Sequence, residues 1–358
     1  MKKKIMISTG GSGGHVIPAT IFYEHLKNNF EVFLCTDIRG IKFFKNEDYN
    51  IKIINTPKFS SNFFLFIYNF FSILFLSIKS IYILKKENIN ILVSTGGYMS
   101  LPLCVAAKIL NIKIYLFEPN MVLGRANKLF LRFCEKIFCY SSNIKNFTKK
   151  FINKIILIDP LIRKEFYSVK IDENFVIKDH INLLIIGGSQ GAKLFDTELE
   201  KSILILSQKY KLKIFQQTNI SNFINLRNFY IKHNIHNELF NFDKNIAHFI
   251  SKTNFCVTRA GASTLSELSF LNIPHLSIPF PFAKDNHQYE NALFYLNKNC
   301  CWLIKQEDLK EGVLSQTLVS IIENKEDYSA KKKSMKNFSY KNTWNNINQK
   351  LISVINEN

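Results

Sequence analysis

Acidic residues are few in this chain: 28 Asp and Glu stand against 47 Lys and Arg, for a net charge of +19. That surplus suits nucleic acid, an anionic membrane surface or a phosphate-bearing substrate, and composition alone does not choose among them. Asn, Ile, Lys and Phe are all abundant, so a general compositional bias accounts for part of the charge. The seven cysteines include no CxxC pair, and their neighbours are mostly apolar, as in Leu34-Cys35 and Phe255-Cys256-Val257. Buried thiols in a reducing compartment are expected. Near the N-terminus, Lys2, Lys3 and Lys4 precede only Ile5 to Ile7 before Ser8-Thr9-Gly10, too short an apolar run for a signal peptide, so the chain is expected to stay in the cytoplasm. No paired carboxylates or His/Cys clusters suggest a metal centre; His233 and His236 fall in a stretch that reads as a polar, solvated connection.

Glycine is scarce as well, with 13 in 358 residues, and its placement is uneven. Ten of the 13 fall in four clusters: 10, 11, 13 and 14; 96 and 97; 187, 188 and 191; and 261. Each cluster follows a short apolar run, namely Lys4 to Ile7, Ile89 to Val93, Ile181 to Ile186 and Asn254 to Val257. Runs of this kind ending in glycine read as buried parallel strands entering βα turns. Helix-like segments follow, such as Pro18 to Leu26 and Ser263 to Leu268. A strand, glycine turn and helix in succession leave unpaired amides and the positive end of a helix dipole at a surface without Cβ atoms, where a phosphate can sit. Glycines also simply permit tight turns, but four clusters in similar contexts favour the anion-binding reading.

A length of 358 residues exceeds what one core usually serves, so two domains are expected. Strand patterns of the first run from Ile5 to about Ile158 and include Glu31 to Cys35, Ile51 to Ile54, Ile112 to Phe117 and Lys136 to Cys139. A second series starts near Ile181 and continues through Lys213 to Phe215, Asn254 to Val257 and His275 to Ile278. Asp159-Pro160-Leu161-Ile162-Arg163 interrupts the pattern between them. The boundary is placed there: residues 1–160 with 338–358, and residues 161–337. After about Ala330 the chain is polar and helix-like, ending in Trp344 to Ile355.

Phe63 to Leu84 is nearly long and apolar enough to span a bilayer, which takes about 20 residues. Asn69, Ser72, Ser77, Lys79 and Ser80 interrupt it, and a span here would put its flanking strands on opposite sides of a membrane. The expectation is a helix that is partly core and partly an exposed aromatic face, with Lys79, Lys85 and Lys86 available to anionic headgroups. A wholly buried helix is the other reading.

Two common nucleotide motifs fail on spacing. Gly10-Gly11-Ser12-Gly13-Gly14-His15 has two glycines of a dinucleotide fingerprint, and Asp37 ends the next strand where a ribose-binding acid would sit, but Val16 occupies the third glycine position. Gly188-Ser189-Gln190-Gly191-Ala192-Lys193 has too few residues between its glycines for a Walker A loop, and Leu194 replaces its Ser or Thr.

Taken together, Gly10 to Pro18, Gly96-Gly97-Tyr98, Glu118-Pro119-Asn120, Gly187 to Ala192, Arg259 to Glu267 and Asp285 to Ala292 resemble the MurG family in order and approximate spacing along nearly the whole chain. That family moves GlcNAc from UDP-GlcNAc to undecaprenyl-diphosphoryl-MurNAc-pentapeptide, converting lipid I to lipid II in peptidoglycan synthesis, and so serves cell-wall biogenesis, cell shape and division. The resemblance implies a GT-B fold: α/β, with two Rossmann-like domains facing across a cleft and a C-terminal helix crossing back to the first. It implies metal-independent inversion with no cofactor, in which the acceptor 4-hydroxyl displaces UDP while fixed N–H donors stabilise the leaving diphosphate. It also implies a peripheral location on the cytoplasmic face of the cell membrane, lipid I and an anionic membrane surface as partners, cell-wall synthesis proteins as further ones, and no nucleic acid.

Carried over by residue, Ser12, Gly13 and Gly14 would lie beside the donor sugar, with Asn120 contacting it from the first domain. Arg163, Ser189 and the helix start at Ala262, Ser263, Thr264, Leu265, Ser266 and Glu267 would hold UDP, Glu267 accepting from both ribose hydroxyls. Gln288 and Asn291 would read the GlcNAc hydroxyls. His15 is the candidate general base, because imidazole titrates near neutrality; a structural role at the helix start is the alternative. The family's usual His-Glu-Gln-Asn reads Phe117-Glu118-Pro119-Asn120 here, and its Asn-Pro-Val-Arg reads Asp159-Pro160-Leu161-Ile162-Arg163, one residue longer. Its Phe-Ile-Asp reads Phe242-Asp243-Lys244, which puts the backbone contact to uracil at Asp243.

Rival readings share some of these features. A lipid-directed GT-B enzyme such as a diacylglycerol glycosyltransferase would have the same loops, charge and aromatic stretch. A noncatalytic subunit of a split transferase would lack one half. An NAD enzyme would bind its cofactor at the first loop.

Overall fold

The computed structural model describes residues 2–44, 49–57, 63–170, 177, 180–188, 193–241, 246–310 and 312–357. The chain divides into two units, Met1–Lys164 with Asn342–Asn358, and Glu165–Lys341. The division falls just past Arg163, which therefore belongs to the first unit rather than to the 161–337 segment.

The first unit holds strands β1 (Lys4–Ser8), β2 (Glu31–Thr36), β3 (Ile51–Ile53), β4 (Ile91–Ser94), β5 (Lys113–Glu118), β6 (Lys136–Cys139) and β7 (Ile155–Leu157). Helices α1 (Gly13–Leu26), α2 (Ile38–Ile41), α3 (Phe63–Lys86), α4 (Leu101–Ile109) and α5 (Arg125–Phe130) connect them. The seven strands form one parallel sheet in the order β3-β2-β1-β4-β5-β6-β7. Its central strands are apolar along both faces, as a parallel sheet covered on both sides requires: Ile5, Met6, Ile7, Leu92, Val93 and Phe117 are among the residues with no measurable exposure.

The second unit repeats the plan with β8 (His180–Ile186), β9 (Lys211–Gln217), β10 (His236–Phe240), β11 (Phe255–Thr258), β12 (His275–Ser277) and β13 (Trp302–Leu303). Its helices are α6 (Lys193–Lys209), α7 (Phe223–Lys232), α8 (Ile246–Ser251), α9 (Ala262–Phe270), α10 (His287–Asn297), α11 (Val313–Glu323) and α12 (Lys325–Ser339). The sheet order is β10-β9-β8-β11-β12-β13, again all parallel. His236 is exposed, as expected, but it opens the edge strand β10 instead of lying in a connection; the strand's single neighbour and half-exposed faces tolerate the polar sequence His-Asn-Glu. His233 sits at the end of α7 against the Phe229 ring, 5.0 Å between centroids.

The last helix, α13 (Trp344–Asn356), returns to the first unit and packs on α1. Its Trp344 stacks on His25 at 3.7 Å, and Ile347, Leu351, Val354 and Ile355 supply the buried stripe. All seven cysteines are buried and unpaired, as their apolar neighbours predict.

Helix α3 presents two opposite faces. Phe64, Tyr68, Phe71, Phe75, Ile78 and Tyr82 recur at helical spacing and are all well exposed, Phe75 by 70%. Asn69, Ser77, Ser80 and Leu84 point inward and are buried. The Ser77 and Ser80 hydroxyls donate back to the Ile73 and Leu76 carbonyls, satisfying themselves within the helix. The helix packs on α4, and the strands on either side of it, β3 and β4, lie in one sheet. A wholly buried helix is thereby excluded, and so is a span that separates those strands.

Candidate active site

In doubly wound sheets, ligands bind outside the carboxyl ends of the strands where the strand order reverses. The reversals here lie between β1 and β4 in the first unit and between β8 and β11 in the second. The four glycine clusters follow these four strands, so chain order has put every cluster at a switch point.

In the first unit, Gly10 adopts φ +151°, and a Cβ there would meet Asp37 Oδ1 at 2.8 Å and Met99 Cγ at 3.2 Å. Asp37 accepts from the Gly11 amide at 2.8 Å and the Gly40 amide at 2.9 Å, and Arg39 Nε donates to its other oxygen. The acid that a dinucleotide site would present to ribose is therefore spent fastening the glycine loop. Ser12 caps α1 through its backbone and makes no side-chain cap bond. The first-turn amides of Gly13 and Gly14 precede any intrahelical acceptor, so they remain donors at the positive end of α1. Pro18, inside α1, has no N–H for the Gly14 carbonyl, which loosens the same turn.

His15 Nδ1 lies 2.8 Å from the Thr95 carbonyl oxygen. A carbonyl only accepts, so Nδ1 carries the proton and the lone pair of the neutral ring is on Nε2. Gly96 and Gly97 lie against the ring: a Cβ on Gly97, at φ +78°, would come within 3.2 Å of His15 Cδ2 and Nε2. Glu118, at the end of β5, is buried and accepts from the Asn120 amide at 3.2 Å, Asn120 Nδ2 at 2.9 Å, the Gly124 amide at 2.7 Å and Asn127 Nδ2 at 3.0 Å. Burial raises its pKa against the pull of these donors. Asn120 is thus oriented by Glu118, with its amide oxygen turned away from the carboxylate.

In the second unit, the Gly188 amide donates to Gln217 Oε1 at 3.1 Å. Ser189 and Asp243 lie outside the described residues. Gly261 caps α9 and its carbonyl accepts from the Leu265 amide, which leaves the amides of Ala262, Ser263 and Thr264 as first-turn donors. Leu265 is wholly in the core, and the Ser266 hydroxyl bonds the Ala262 carbonyl at 2.8 Å and the Tyr295 hydroxyl at 2.9 Å. Both side chains are buried. Glu267, next in line, is only 4% exposed.

Gln288 Oε1 accepts from the Phe280 amide at 2.9 Å, and Asn291 Nδ2 donates to the Ala260 carbonyl at 3.2 Å. Asn291 is 1% exposed and braces the turn before α9. Two successive left-handed residues, Asp285 (φ +52°) and Asn286 (φ +55°), lead into α10; Asp and Asn are the side chains that tolerate this conformation best. Arg259, which motif spacing did not single out for a role, is buried and donates to the Ile278 and Pro279 carbonyls at 3.0 and 3.1 Å and to Gln306 Oε1 at 2.8 Å. Its guanidinium lies over the rings of Phe195 and Phe280 at 5.0 and 5.5 Å, and burial lowers its pKa to about 10. It joins the turn before α9 to the segment that holds Gln288.

Residues 5–139 match the glycosyltransferase family 28 N-terminal domain and residues 182–347 its C-terminal domain. The chain is 57% identical over 358 residues, all of both chains, to the UDP-N-acetylglucosamine–N-acetylmuramyl-(pentapeptide) pyrophosphoryl-undecaprenol N-acetylglucosamine transferase of Pelagibacter ubique (strain HTCC1062). The chain belongs to the MurG family. The likeness extends to the same-named transferase of Rickettsia canadensis (strain McKiel), 35% identical over 332 residues, 90% of this chain and 91% of that one. Among solved structures, MurG from Acinetobacter baumannii superposes with a TM-score of 0.75 over 94% of this chain and 95% of that one at 22% identity, which bears on the GT-B fold.

Proposed function

We propose that this chain transfers GlcNAc from UDP-GlcNAc to the MurNAc 4-hydroxyl of undecaprenyl-diphosphoryl-MurNAc-pentapeptide, with inversion at the anomeric carbon. The observation that carries the reading is full-length identity of 57% to the Pelagibacter transferase, whose name states that donor and acceptor. The site chemistry supports it. Nε2 of His15, with Nδ1 committed to Thr95, takes the proton from the acceptor hydroxyl. The hydroxyl oxygen then bonds the anomeric carbon as the bond to the diphosphate oxygen breaks, and UDP leaves with that electron pair. The amides of Ala262, Ser263 and Thr264 and the Arg163 guanidinium answer its growing charge, so the mechanism calls for no metal. Glu267 accepts from the ribose hydroxyls, and Gln288 reads the sugar.

The acceptor's lipid requires a membrane, and the exposed aromatic face of α3 supplies a peripheral dock at its cytoplasmic surface, with Lys79, Lys85 and Lys86 on the same helix. The deciding experiment is transfer of labelled GlcNAc to a lipid I analogue with UDP-glucose and diacylglycerol as competing donor and acceptor. Labelled disaccharide lipid is expected; label on diacylglycerol instead would assign a different lipid glycosyltransferase activity.

A further inference from the structure

Between β12 and α10 the chain reads Pro279-Phe280-Pro281-Phe282. Each proline fixes its own φ and pushes the residue before it into extended backbone, so the chain leaves the sheet as a stiff strap. The strap then turns sharply. The Ala283 amide donates to the Phe280 carbonyl at 3.1 Å, closing a turn with Pro281 and Phe282 at its two central positions; proline is favoured at the first of these. The Asn286 amide donates to the Ala283 carbonyl at 2.9 Å and closes a second turn directly after the first.

Side chains hold the strap from within the second unit. Arg259 donates to the Ile278 and Pro279 carbonyls, and Gln288 Oε1 accepts from the Phe280 amide. The two phenylalanines of the strap meet opposite surroundings. Phe280 lies under the Arg259 guanidinium and is half-buried, whereas Phe282 is 81% exposed. Their rings meet edge to face, 5.6 Å between centroids with the planes 71° apart, so Phe282 stands against a ring that is itself fixed. A single exposed apolar side chain is ordinary on a protein surface. This one differs in place and in support: it lies at the carboxyl end of a parallel sheet, on a fastened turn that is hydrogen-bonded to Gln288. Binding contacts concentrate on loops that a rigid scaffold positions, and an ordered backbone lowers the entropy lost when a ligand arrives.

We infer, on the donor reading proposed above, that Phe282 is the apolar contact of the donor hexose, its ring stacking on the C–H face of GlcNAc while Gln288 pairs with hydroxyls at the rim. A pyranose has two kinds of surface, hydroxyls around its edge and C–H groups on its faces, and an amide serves only the first. The face of a phenyl ring carries partial negative charge and attracts the polarised C–H groups of the second. Gln288 Oε1 is committed to the Phe280 amide, so Nε2 is the end that donates to the sugar. One hydrogen bond thereby couples the polar and the apolar contact. Phe282 is a specificity determinant for the sugar half of the donor and contributes nothing to UDP alone.

Calorimetry on the full-length protein tests this by comparing the Kd for UDP-GlcNAc with the Kd for UDP. Phe282→Ala is expected to weaken UDP-GlcNAc about tenfold and to leave UDP within about twofold of wild type, since stacking buries only part of the ring. Phe282→Tyr keeps the aromatic face and should restore donor affinity. The ring is exposed, so both variants should fold, and retained UDP binding verifies the second unit in each. Wild type that binds UDP but not UDP-GlcNAc would refute the donor itself, and the Phe282 contact would fall with it. Wild type that binds UDP-GlcNAc, with Phe282→Ala binding it equally well, would leave the donor standing and overturn the contact alone. Equal weakening of UDP and UDP-GlcNAc would put the ring on the nucleotide, and a raised KM for a lipid I analogue with donor affinity unchanged would put it on the acceptor; either result also overturns the contact.

Discussion

His15 Nδ1 meets the Thr95 carbonyl oxygen at 2.8 Å, across 80 residues of sequence. One bond thereby joins the start of α1 to the residue after β4 and leaves the lone pair of the neutral ring on Nε2. General bases of this kind contribute about 10²- to 10⁴-fold to rate. His15→Gln should lower kcat by about that factor while the Kd for UDP stays near wild type. Steady-state turnover beside calorimetric UDP binding checks this, and unchanged turnover would remove His15 from the role.

Gly97 sets the ring's position from below. Its φ is +78°, and a Cβ added there would approach His15 Nε2 to 3.2 Å, so Gly97→Ala both strains the backbone and moves the imidazole. With ψ at 155°, Gly97 lies in a region essentially reserved for glycine, where another residue costs about 1–3 kcal/mol. A misplaced catalytic group loses rate steeply with distance, so kcat should fall about tenfold or more with UDP affinity retained. Equal losses in kcat and UDP affinity would instead indicate general disruption of the fold.

Glu267 sits near the start of α9 with little solvent contact. If it accepts from both ribose hydroxyls, Glu267→Gln should weaken UDP about 10- to 100-fold, since hydrogen bonds to charged groups are worth about 1.5–3 kcal/mol. The sharper measurement compares UDP with 2′-deoxy-UDP. Wild type should discriminate between them and the variant should not; discrimination that survives in Glu267→Gln rules out the contact.

The parallel sheets and their glycine loops were legible because both faces of a central strand are buried, so Ile-Met-Ile or Leu-Leu-Ile-Ile stands out as an apolar run that stops at glycine. β10 was not, because an edge strand with one neighbour accepts His236, Asn237 and Glu238 and loses the apolar signature. The site was legible as motifs, but not in how its side chains are used. Asp37 fastens Gly11, Ser266 bonds Tyr295 and Asn291 bonds Ala260. Such bonds join residues distant in sequence, and no local spacing marks them. Arg259 could have been suspected from one signal, a cation following the apolar run Phe255 to Val257, where only a buried guanidinium with several carbonyl acceptors fits.

Two histidines make stability depend on pH. His25, stacked on Trp344, and His275, within β12, are buried, and burial lowers both pKa values from 6.5 to about 4. The unfolded chain takes up these protons as pH falls below 6.5, whereas the folded chain resists until about 4. Stability from this source is therefore intact above pH 6.5 and lost on acidification toward 4, by up to about 1.4 kcal/mol per pH unit for each group. Urea midpoints measured from pH 7.5 to 5 should fall. His275→Asn should reduce the slope by about one proton's share, and an unchanged slope would mean that His275 does not resist protonation.

The exposed face of α3 separates a docking surface from a core surface in a way that mutation can read. Phe71 and Phe75 are 63% and 70% exposed, so neither contributes much to the folded core. Phe71→Asp/Phe75→Asp should leave the thermal midpoint within a few degrees of wild type. Burying a phenylalanine side chain is worth about 1.5–3 kcal/mol, so each replacement should weaken binding to anionic lipid vesicles by about 10- to 100-fold. Cosedimentation with vesicles of anionic phospholipid measures the loss. Lys85→Gln/Lys86→Gln should act differently, reducing binding at low salt but little at high salt, because their attraction to headgroups is screened. Vesicle binding that survives the double aspartate variant would place the membrane contact on another surface. A large drop in thermal midpoint would show that these aromatic side chains serve the core after all.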